Sequence, residues 1–76
     1  MIVNKDVRPE RKIYYIGALV IDILKESKEE IVDHLFVFEK LHKKENVSAE
    51  VFLLSLDWLF LLGAIKTEKG ILKKCF

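Results

Sequence analysis

"SLDWLFLLGAIK", residues 55–66, is the stretch whose reading decides how this chain folds. An apolar run meets Gly63, and Gly63 stands where a left-handed residue closes a helix. Upstream, Ser48 is a good N-cap, and Val47 before it can staple onto Phe52. Together these predict a helix over residues 49–62. Downstream lie "AIKT", "EKG" and "ILKKCF", two short β-capable runs around a glycine turn, which read as a hairpin.

Two more helices are expected before this unit. Ser27 and Glu30 form an S-x-x-E capping box ahead of Ile31. That predicts a helix from Lys28 to about Lys44, with Ile31, Leu35, Phe38 and Leu41 at helical spacing. Its basic end, "KLHKKEN", suits the negative end of a helix dipole. Pro9 suits the first turn of an earlier helix reaching about Lys25. In that helix Ile13, Ile16, Val20, Ile23 and Leu24 share a face. Tyr14 and Ile21 flank it on one side, Tyr15 and Leu19 on the other. The arc is wider than the ~100° a surface helix needs, so the helix is either central or also presented to a partner. Met1–Val3 is a β-prone triplet, read as an edge strand or a loose arm. Three helices followed by a hairpin give a mainly α, winged helix-turn-helix-like domain spanning residues 1–76.

Composition narrows what such a domain does. At 76 residues the chain has little core, since a domain near this size buries only about 60% of its unfolded surface. Its one cysteine, Cys75, excludes an intrachain disulfide and reads as an incidental thiol in a reducing compartment. His34 and His42 lie apart with no nearby cysteine, so no zinc site is expected. A partner protein is left as the natural staple. The net charge of +1, from 13 basic and 12 acidic residues, gives no global pull toward nucleic acid. The apolar run over residues 13–24 is shorter than the ~20 residues of a membrane span, contains Asp22 and is followed by no cleavage site. A cytoplasmic protein with a buried helix is expected, with no membrane role.

The third helix carries the functional reading. On a helical wheel Val51, Phe52, Trp58, Leu59 and Leu62 cluster inward, with Ser55 among them bonding back to the preceding turn. The opposite side carries Glu50 and Asp57, flanked by Leu53 and Phe60 and by Leu54 and Leu61. A groove-reading helix offers Arg, Lys, Asn or Gln to bases; this one offers carboxylates and exposed apolar side chains. An apolar patch of that kind points to a protein partner, unless the N-terminal strand or the wing covers it within the monomer. Trp58 reads as core or as an interface anchor, and Tyr14 and Tyr15 as core-edge residues or anchors. Catalysis is not expected: Glu50 and Asp57 have no evident pocket, the three glycines are isolated, and no nucleophile has a recognisable partner. No cofactor or metal is called for. Two other readings stay open. Lys66, Lys69, Lys73 and Lys74 on the hairpin, with Lys40, Lys43 and Lys44 on the second helix, can grip phosphates or serve only solubility. The apolar face can also pair with its own copy.

The opening "MIVNKDVRPERKIYYIGALVIDILK" and the later "FLLSLDWLFLLGAIK" resemble the small middle component of bacterial ABC-three-component systems. The likeness runs from Met1 to about Lys74 and rests on "NKD-x-x-P-E-R" together with "L-D-W-L-F-L-L-G". It implies a winged-helix-like bridge between an SMC- or Rad50-like ABC ATPase and an effector in a conflict or defence system. It also implies that ATP chemistry belongs to the partner; contact with DNA, the alternative that the lysines leave open, is expected only within a complex.

Overall fold

The computed structural model describes residues 9–76, so the Met1–Val3 triplet lies outside the described residues. The chain order is helix, strand, helix, helix, strand, strand: α1 (Pro9–Glu26), β1 (Ile31–Asp33), α2 (His34–Lys44), α3 (Ala49–Leu61), β2 (Ile65–Glu68) and β3 (Ile71–Lys74). This is a mainly α, winged-helix-like arrangement in which β2 and β3 form the wing. The sheet order is β1-β3-β2, antiparallel throughout. α1 packs chiefly on α3 and also on α2.

The expected first helix forms as read. Ile16, Val20, Ile23 and Leu24 are buried in one stripe, as a 3.6-residue period requires, while Tyr14 and Tyr15 stay half exposed on its flanks. α3 also forms with its predicted start. Ser48 is extended, and its hydroxyl accepts the amide of Val51 at 3.2 Å. Val47 and Phe52 are both buried beside it. At the far end Leu62 is the cap and Gly63 takes φ +80°. The Gly63 amide donates to the Phe60 carbonyl at 3.0 Å, and the Ala64 amide to the Leu59 carbonyl at 2.9 Å. That pair of bonds is the Schellman closure, and it turns the chain from helix into wing. Buried Ser55 donates to the Val51 carbonyl at 2.9 Å, as expected, and is placed 3.2 Å from the Ile13 carbonyl of α1.

Two expectations are corrected. The second helix starts at His34, not Lys28, because residues 31–33 are a strand pairing with β3. The Ser27 hydroxyl accepts from Glu29 at 3.2 Å as a local turn, and Asp33 is the true N-cap, accepting from Leu35 at 2.9 Å. With that later start the buried stripe is Val37 and Leu41, while Ile31 and Leu35 face outward. Leu62 is likewise exposed and not inward; Leu56 fills the core in its place.

The wing is pinned to α2. Lys69 (φ +50°) and Gly70 (φ +81°) form a two-residue hairpin turn of the kind that demands positive φ at both centres. The Gly70 carbonyl accepts both the His34 amide at 2.9 Å and His34 Nδ1 at 2.6 Å. A carbonyl can only accept, so Nδ1 carries the proton. At the other end of β3 the half-buried Lys74 ammonium donates to the Leu24 carbonyl at 3.0 Å and the Ser27 carbonyl at 2.8 Å. It thereby caps the last turn of α1.

Candidate protein-binding surface

α3 presents two apolar stripes separated by an acidic one. Leu53 and Phe60 make the first stripe, Leu54 and Leu61 the second, and all four are exposed, Leu61 by 80%. Glu50 and Asp57 lie exposed between them. The wing therefore does not cover these side chains. Burying one such side chain fully stabilises by roughly 1.5–3 kcal/mol, so an exposed set of four is a substantial unspent driving force.

Trp58, between Leu54 and Leu61 in the sequence of α3, leads toward α1. Trp58 is half-buried and packs against the core from α3, and its ring lies against Tyr14 with centroids 4.8 Å apart and planes tilted by 41°. Gly17 makes this approach possible, because a Cβ there would stand 2.9 Å from the indole ring. Trp58 is thus both core wall and surface. Beside it Ala18, Ile21, Leu62 and Ala64 complete a shallow apolar groove of about 330 Å³ with Asp22 at its edge. Tyr15 does not join this groove. Its hydroxyl donates to Glu45 Oε2 at 2.9 Å and ties α1 to the end of α2. That hydrogen bond, and the carboxylate charge behind it, raises the phenol pKa above its ordinary value.

The first stripe continues onto the sheet. Phe60 stands over the outer sheet face beside Ile31 and Ile71, with Lys66 and Lys73 alongside, around a concavity of about 620 Å³. Sequence reasoning missed Ile31 and Ile71 as surface residues. The signal was the in-out alternation of "IVD" and "ILKK", which becomes legible only once β1 is recognised as a strand.

The seven lysines separate into different roles. Lys66 and Lys73 are directly opposite each other across β2 and β3, and Lys69 occupies the turn. Lys74 points the other way, its ammonium committed to α1. Lys40 lies 5.3 Å over the Phe36 ring, and Lys43 and Lys44 are exposed in the last turn of α2. The hairpin and α2 lysines therefore do not make one continuous row through Lys74.

Among the described residues no helix is long and apolar enough to cross a membrane. Comparison with known proteins adds the family. A family model described as ABC-three component (ABC-3C) system Middle Component 6 matches residues 2–75. No curated protein and no solved structure matches the chain. A middle component of a multi-component system implies partner proteins. The match spans nearly the whole chain, and the chain belongs to the family of middle components 6 of ABC-three component systems.

Proposed function

We propose that this chain is a non-catalytic adaptor that joins an SMC-like ABC ATPase to an effector protein in a bacterial cytoplasmic complex acting against phages or plasmids. The observation that carries this reading is the pair of exposed apolar stripes on α3, Leu53 with Phe60 and Leu54 with Leu61, flanking Glu50 and Asp57. Carboxylates on this helix repel a polyanion, whereas the apolar stripes gain by meeting another polypeptide. ATP hydrolysis then belongs to the partner.

The test is co-expression of the chain with the ATPase and effector of its own system. Phe60→Asp or Leu54→Asp should abolish co-purification while the isolated chain keeps its helical circular dichroism. Undiminished co-purification from both variants overturns the reading. Contact with DNA inside the complex is the alternative, favoured by Lys66, Lys69 and Lys73 clustering at the wing. It predicts a gel shift of a short duplex by the complex that weakens steeply with salt. Self-pairing through α3 is read directly by light scattering of the purified chain.

A further inference from the structure

The outer face of the sheet carries a feature that neither stability nor the α3 stripes account for. Lys66 and Lys73 are direct cross-strand partners. Like charges in that position repel and destabilise a sheet. Among the described residues no carboxylate lies within ion-pair distance of either lysine. A third lysine, Lys69, occupies a left-handed turn position that Asn or Gly fills with less strain. The three lysines border the concavity whose apolar side is Ile31, Ile71 and Phe60, with Glu68 in its lining and Asp33 farther along the same face. Counting Asp33, which lies opposite Ile71 on the same face, the sheet keeps a local excess of one positive charge (three lysines less Glu68 and Asp33) around exposed aliphatic and aromatic surface.

We propose that this face is a second docking site and that its occupant is an acidic, aliphatic-rich segment of a partner protein. A carboxylate of that segment lies between Lys66 and Lys73, and its apolar residues cover Ile31, Ile71 and Phe60. Charge complementarity selects this chemistry. A carboxylate between the lysines replaces their repulsion with two charge-assisted hydrogen bonds. A nucleic-acid backbone satisfies the lysines but leaves the apolar side uncovered and brings phosphates close to Glu68. The proposal rests on the adaptor reading and deepens it: the sheet face shares Phe60 with the first α3 stripe, while the α1–α3 groove shares no lining residue with it, so a second partner can be held there.

The experiment uses the full chain co-expressed with the ATPase and effector of its system. A photo-crosslinking phenylalanine analogue placed at Ile71 should couple to one partner, within a peptide that carries Asp or Glu among aliphatic residues. Lys66→Glu with Lys73→Glu should weaken that partner's binding at least tenfold and leave the other partner bound. Changing the crosslinked acidic residue to Lys should restore binding to the double variant. Lys66→Thr alone should raise the melting temperature of the isolated chain, which reports the repulsion independently of any partner. Unchanged binding by the double variant overturns the proposal, as do crosslinks to nucleic acid alone or to a second copy of this chain. If the double variant binds normally while Leu54→Asp does not, the sheet-face site fails and the adaptor reading stands. If both bind normally, both fail.

Discussion

Replacing Lys74 by Met tests whether the wing holds α1 together or waits for a phosphate. The Lys74 ammonium donates to the Leu24 and Ser27 carbonyls at 3.0 and 2.8 Å, in a half-buried position at the end of an 18-residue helix. Hydrogen bonds to charged groups contribute about 1.5–3 kcal/mol each when well shielded. A cation at a helix C-terminus adds about 0.3–1 kcal/mol. The site is only partly shielded, so the two bonds and the dipole together are expected near the lower end of that scale. Met retains the apolar stem and removes the charge. The expected loss is about 2 kcal/mol, which for a domain of this size lowers the melting temperature by roughly 8–16 °C. Urea titration followed by circular dichroism should show a lower midpoint at unchanged slope. Lys73→Met is the matched control one residue away; its side chain faces out opposite Lys66, so its removal should not lower the midpoint and, by relieving that repulsion, should raise it slightly. A Lys74→Met chain within roughly 0.5 kcal/mol of the parent, in the range of ordinary surface changes, refutes the capping argument. If the variant also loses affinity for DNA, Lys74 belongs with the phosphate-binding lysines.

Gly17→Ala should destabilise by about 1–3 kcal/mol, since the new methyl group meets the Trp58 ring at 2.9 Å and forces it outward; a red shift of tryptophan emission checks the displacement. The Tyr15–Glu45 bond should make stability pH-dependent at the alkaline end. The folded phenol pKa is raised, so its contribution is fully present below the unfolded value and is lost as pH rises through the folded one. Denaturation midpoints of the parent and of Tyr15→Phe should therefore converge as pH climbs past about 10, and a constant gap between them would show that Glu45 does not hold the hydroxyl.

How much of this was legible in the sequence depends on whether the cause is local. Ser48, Val47 and Gly63 act within a few residues of themselves, and the helix they bracket is where their chemistry puts it. β1 was illegible because its cause is distant. Three residues carry too short an alternation to be read, and they become a strand only because β3, some 40 positions on, offers them an edge. The S-x-x-E pattern at Ser27 then looked like a helix start, although Asp33 supplies the cap. Lys74 shows the same limit. Its neighbour Lys73 has the same chemistry, and only the packing of β3 under the end of α1 separates a structural ammonium from a surface one. The outward side chains of α3 were readable from the wheel, whereas their continuation over Ile31 and Ile71 was not, since it depends on that unread strand.

The strand order has a consequence for how the protein comes into being. Among the described residues β3 is the last strand in chain order and the middle one of the sheet. A nascent chain stopped before Ile71 holds two strands that share no neighbour, a histidine without its carbonyl and a helix end without its lysine. Neither the basic sheet face nor the closed wing exists at that stage. The basic sheet face thus depends on residues 71–74, whereas the outward side chains of α3 belong to a segment that comes before them in the chain.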